Sequence, residues 1–76
     1  MAVEVVSPGD TAAEVEAKVR DYLAAGALPV WVVYPDTRTV LVYRPDGTAT
    51  RYGENDVLQE EELFPGFSLS LQDLFT

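Results

Sequence analysis

The chain has 76 residues and a formal charge of −8, with 5 Lys or Arg against 13 Asp or Glu, and it lacks both cysteine and histidine. That composition excludes a disulfide framework, a thiolate zinc site and any nucleophile–histidine pair within the chain. The length predicts one small domain, 1–76, with a modest core; no run approaches the ~20 apolar residues of a membrane helix, and without a signal peptide a cytoplasmic location is expected.

The first predicted element is a strand over Ala2–Val6, rich in β-branched residues. Val3 and Val5 share one face of it; Glu4 and Val6 share the other. Ser7-Pro8-Gly9 ends it, because proline lacks a ladder donor and glycine permits a turn. Thr11-Ala12-Ala13-Glu14 then has the pattern of a capping box, in which the Thr hydroxyl accepts from the Glu amide and the Glu side chain reaches back. The helix it starts is predicted to run from Ala12 to Ala25, with Gly26 as its stop. Ala12, Val15, Val19, Tyr22 and Leu23 form its apolar stripe. Lys18 sits at the margin of that stripe, and Glu14, four residues earlier, is in the right order for a surface ion pair with it.

Val30-Trp31-Val32-Val33-Tyr34 is the strongest strand signal in the chain. A strand, helix and strand in succession predict that the first two strands are parallel, joined by a right-handed crossover. Pro35-Asp36-Thr37-Arg38 is a turn, Thr39–Arg44 returns antiparallel, and Pro45-Asp46-Gly47 makes a second hairpin turn. Thr48–Tyr52 is polar enough for a sheet edge. Glu54, Asp56 and Glu60-Glu61-Glu62 lack the glycine and the alternating oxygen ligands of a calcium loop, so a solvated loop is expected there. Val57-Leu58 and Phe67-Ser68-Leu69 are candidates for a small strand pair. A last helical turn, Leu71–Phe75, would tuck Leu74 and Phe75 onto the core. The fold class is therefore mixed α/β, in the order β-α-β-β-β with short C-terminal additions.

One set of residues resembles a known family. Val3-Glu4-Val5-Val6-Ser7-Pro8, Lys18, Tyr22-Leu23-Ala24-Ala25-Gly26, Val30-Trp31-Val32-Val33, Phe64-Pro65-Gly66-Phe67-Ser68-Leu69 and Asp73-Leu74-Phe75 look like the Uma-two family of restriction-endonuclease-like proteins, within the PD-(D/E)xK nuclease superfamily. The resemblance covers the C-terminal part of that family's domain, and implies a partial restriction-endonuclease-like core. It implies catalytic roles for Glu4 and Lys18, and a metal-binding role for Glu4. The superfamily pairs this Glu with an upstream Asp to hold a divalent metal, and uses a Lys to position or activate water. The usual lysine position, two residues after the acid, holds Val6; Lys18 matches a position to which the family's lysine has migrated. Tyr34 stands where the family commonly has Asp.

Two functions follow from the resemblance. One is a truncated, non-catalytic protein that survives by association. The other is a metal-dependent DNA endonuclease, using Mg²⁺ or Mn²⁺, whose site is completed by a second chain or by an N-terminal region. The isolated chain is expected to hold no cofactor and to engage DNA only in the second case, since phosphate contacts need cations. Independently of the family, the strands are apolar on both faces and so need cover on both. With one full helix, one face is expected to expose Trp31, Val33 and Leu41, unless the Phe64–Phe75 tail folds over it. A homodimer is the expected solution, through that face or through the free edge of Ala2–Val6.

Overall fold

The computed structural model describes residues 1–59, 66 and 68–75. Along the chain run β1 (Ala2–Val5), α1 (Ala12–Ala24), β2 (Val30–Tyr34), β3 (Thr39–Tyr43), β4 (Ala49–Tyr52), β5 (Val57–Gln59), β6 (Ser68–Ser70) and α2 (Leu71–Leu74). The first four strands form one sheet in the order β1-β2-β3-β4, and β5 and β6 form a separate pair. β1 runs parallel to β2, whereas β2–β3 and β3–β4 are antiparallel. This is the predicted β-α-β-β-β core with a short helix after it.

Local chemistry explains the boundaries of α1. Thr11 takes an extended conformation and its Oγ1 accepts from the Glu14 amide at 3.1 Å. The Glu14 carboxylate returns to the Thr11 hydroxyl at 3.0 Å, closing a variant of the capping box through the side chain. At the other end Gly26 adopts φ 79°. Its amide donates to the Leu23 carbonyl, and the Ala27 amide donates to that of Tyr22. That pair of bonds is a Schellman ending, which wants glycine because a Cβ is strained in the left-handed region.

The register sorts the core into two clusters. Glu4, Val32, Leu41 and Arg51 lie in one row across the sheet. Side chains of one row share a face, and this is the face under α1. There Val15 and Val19 pack on Val30 and Val32, with Tyr22, Leu41 and Tyr43 at the margins. Val3, Trp31, Val42 and Thr50 form the next row, on the opposite face. There Trp31, Val33, Val40 and Val42 are buried with Leu58 and Leu71, and Tyr52, Leu69 and Phe75 pack against them.

Four expectations change. Leu41 does not share a face with Trp31 and Val33, because the β2–β3 register sets it beside Val32. The Trp31 face is not open either, since β5, β6 and α2 cover it. Within the tail, Leu71 is the fully buried side chain, while Leu74 is exposed; Leu71 leads the last turn and faces Leu58, leaving Leu74 at its outer end. Leu23 is also exposed. It lies roughly 80° round the helix from Val15, at the opposite margin from Lys18. The expectations for Glu60-Glu61-Glu62, Phe64-Pro65 and Phe67 concern residues outside the described ones. Among those described, no helix is long and apolar enough to cross a membrane.

Candidate functional site

Glu4 sits in the middle of β1, on the face that α1 covers. Its neighbour on β2 is Val32. Lys18 and Tyr22 are four residues apart, so they lie one above the other on the same side of α1. Helical side chains lean toward the helix N-terminus, and on this helix both reach the β1 margin of the sheet. Lys18 Nζ donates to Glu4 Oε1 at 3.0 Å, and the Tyr22 hydroxyl donates to Glu4 Oε2 at 3.1 Å. Both carboxylate oxygens are therefore engaged by donors from one helix.

The pair is unequal in its exposure to water. The Glu4 side chain is 12% exposed and that of Lys18 49%. Water screens the lysine end, so the ion pair adds little to the stability of the fold. Its effect on protonation is clearer. The Lys18 ammonium is held above the ordinary lysine value of 10.5, chiefly by its hydrogen bond to Glu4, then by that carboxylate's charge and by Asp10. The Tyr22 hydroxyl is pushed above 10.0, again first by the hydrogen bond to Glu4 and then by its charge. Near neutral pH the cluster is a carboxylate clasped between an ammonium and a phenol.

The two site residues read from the sequence, Glu4 and Lys18, thus meet in space across fourteen positions of chain. Lys18 does not pair with Glu14, because Glu14 is occupied by the helix cap. Tyr22 belongs both to the apolar stripe and to the family-like run Tyr22–Gly26, and its bond to Glu4 is a role that neither pattern assigns. The signal was present in principle, since Tyr22 stands at i+4 from Lys18 on the helix side that faces a strand acid.

The described residues fall short of a metal centre. They contain no group of three or more His, Cys, Asp or Glu side chains that could hold an ion. Glu4 is a lone carboxylate whose oxygens both accept from protein donors. Asp10, the acid whose charge is felt at Lys18, spends its Oδ2 on the Ser7 amide at 2.9 Å. A hard divalent cation wants several oxygen ligands, so these residues alone do not fit one. Elsewhere, Glu54 pairs with Arg38 at 3.0 Å, and Asp56 accepts from the Gly53 amide. The acidic loop is, in its described part, engaged in structural bonds.

Comparison with known proteins adds three findings. The profile of the Uma2 family, described as "Putative restriction endonuclease", matches residues 1–72. A solved structure, a putative nuclease belonging to DUF820 from Anabaena variabilis, is similar with a TM-score of 0.80 and 27% sequence identity, over 96% of this chain. The chain spans 41% of that nuclease's length. No curated protein matches the chain.

Proposed function

We propose that this chain, which belongs to the Uma2 family of putative restriction endonucleases, carries the Glu–Lys part of a nuclease site and is not catalytic on its own. The observation that carries this reading is the Glu4 carboxylate. Both of its oxygens are taken by Lys18 and Tyr22, and no acid cluster accompanies it among the described residues. Metal-assisted phosphodiester hydrolysis uses a cation to stabilise phosphoryl charge and to lower the pKa of water. One occupied carboxylate does not hold such a cation, so no hydrolytic step follows from these residues. The charge of −8 also opposes stable contact with a phosphate backbone. We further propose that the chain self-associates.

The Lys18–Glu4 contact favours a second reading, in which the arrangement is kept for use. A second chain, or a further segment, would then supply another carboxylate and complete a Mg²⁺- or Mn²⁺-dependent DNA endonuclease. One assay separates the two readings. Purified chain incubated with supercoiled plasmid and Mg²⁺ or Mn²⁺ is expected to leave the plasmid intact. Cleavage that disappears in both Glu4→Ala and Lys18→Ala would overturn the first reading and establish the second.

A further inference from the structure

We infer that Tyr22 is a positioning residue of the candidate site: its hydroxyl fixes the Glu4 carboxylate, so that Oε1 is turned to Lys18. The inference rests on the reading of Glu4 and Lys18 as the Glu–Lys part of a nuclease site, and adds a third member to it.

A glutamate on a strand does not aim its carboxylate unaided. The last torsion of the side chain is broad and roughly two-fold, without the sharp staggered wells of the torsions before it. Glu4 shares its face of β1 with Ala2 and Val6, which pack on the cluster under α1. Apolar neighbours of this kind confine the stem of the side chain but orient neither oxygen. That falls to hydrogen bonds, from Lys18 Nζ to Oε1 at 3.0 Å and from the Tyr22 hydroxyl to Oε2 at 3.1 Å.

The two donors differ in what they can fix. An ammonium is a compact charge with three rotatable donors on a flexible four-carbon stem, and about half of the Lys18 side chain lies in water. Such a group follows a carboxylate as it turns. Tyr22 has only two side-chain torsions, and its ring packs against the cluster of Val15, Val19, Val30 and Val32. Its backbone is tied as well, since its carbonyl accepts from the Ala27 amide at 3.0 Å where the helix ends. The phenol therefore presents one donor from one place. It sets the carboxylate, and the carboxylate sets the ammonium. Phenylalanine would pack as well as tyrosine here; the hydroxyl is the part that reaches Glu4.

This division of labour has a chemical use. A working site keeps its groups within about 0.5 Å of their productive geometry through residues whose own conformations are locked by packing. Tyr22 carries that rigidity from the core to the margin where Glu4 and Lys18 meet. As a neutral donor near neutral pH, it orients the carboxylate without cancelling its negative charge, which a second cation in its place would do.

Lys18 is the only lysine in the chain, so lysine labelled at Nζ gives a single ammonium signal in a nuclear magnetic resonance spectrum. The rate at which its protons exchange with water, just below neutral pH and in the cold, reports how firmly the ammonium is held. The Tyr22 hydroxyl keeps its proton there, so loss of a phenolate does not enter the comparison. In Tyr22→Phe that rate is expected to rise by about threefold or more, the order of one net hydrogen bond, with far-ultraviolet dichroism unchanged. Glu4→Gln should raise it at least as far and gives the rate for an unheld lysine. The double variant should exchange no faster than Glu4→Gln alone, because the phenol acts on the lysine only through Glu4. A tyrosine that only packs would leave the rate as it is in the parent chain. Exchange that is unchanged or slower in Tyr22→Phe overturns the positioning role, since the ammonium would then hold the carboxylate by itself; so does a double variant faster than Glu4→Gln. Exchange unmoved by Glu4→Gln would mean that Lys18 and Glu4 are not paired in solution, and removes the underlying Glu–Lys reading together with the role of Tyr22.

Discussion

The two faces of the four-stranded sheet are covered by different means. One lies under α1, 13 residues long, with a cap at each end and an apolar stripe that presses Val15 and Val19 onto Val30 and Val32. The other lies under β5, β6 and α2, pieces of three or four residues that bring Leu58 and Leu71 onto Trp31, Val33, Val40 and Val42. The helix has local stability of its own through its caps and period. The tail pieces have almost none, because strands and turns this short do not persist alone. Yet Leu58 and Leu71 are fully buried, as deeply as any side chain under the helix. Burial on the tail face is therefore the more cooperative: its cover exists only when the sheet beneath it is formed.

This contrast breaks most directly at Leu71. Truncating a fully buried leucine costs ~2–5 kcal/mol, the lost transfer energy plus a cavity. Leu71→Ala is expected to reach that range, measured by urea denaturation. In a domain whose total stability is ~5–15 kcal/mol, the tail would open first, and Trp31 fluorescence would shift to the red before far-ultraviolet dichroism falls. Leu58→Ala should behave in the same way, because both side chains sit in one cluster. A loss under ~1 kcal/mol, with Trp31 emission unmoved, would mean that the tail is not integral to that face.

The helix face is sharpened by a smaller change at its end. Gly26 holds φ 79°, and a Cβ built there meets nothing within 4 Å. Gly26→Ala therefore pays only for backbone strain, about 1 kcal/mol. Urea denaturation should show that loss with an unchanged m-value, since no apolar surface is rearranged. Gly26→Asn should cost less, because asparagine tolerates the left-handed region better.

The same contrast explains how much could be read from the residues. Thr11, Glu14 and Gly26 act within a few positions of themselves, so α1 and its ends were legible, and the alternation and turns of β2–β4 gave the strand order. The facing of Leu41 was not, because it depends on a register between strands: one position of slip moves it from the Trp31 face to the Val32 face. Nor was the burial of Leu71, which depends on a contact with Leu58 that no periodicity announces. The candidate site fell between these cases. Glu4 and Lys18 were marked by family resemblance and meet at 3.0 Å. The bond from Tyr22 to Glu4 was not legible, because an aromatic residue on an apolar stripe is ordinarily core.

The finest test of the helix face is the alkaline titration of that tyrosine. Tyr22 and Lys18 both keep their protons more firmly in the fold, each held chiefly by the bond to Glu4. A folded-state pKa raised above the unfolded value means that the folded chain binds more protons in the interval between them. The stabilisation is then complete below the unfolded values of 10.0 for Tyr22 and 10.5 for Lys18, and is lost as pH rises through the raised folded values. The contributions of Lys18 and Tyr22 are thus constant through the neutral range and are lost in alkali. Glu4→Gln removes the charge, so phenolate absorbance should show Tyr22 titrating at a lower pH than in the parent chain, with Tyr22→Phe identifying its signal by difference. Tyr43 supplies an internal control: its hydroxyl is raised chiefly by burial, then by Glu16 and Tyr34, and should not move. A Tyr22 midpoint unaltered by Glu4→Gln would mean that the phenol is not bonded to Glu4 in solution, and would leave Lys18 as the carboxylate's sole helix partner.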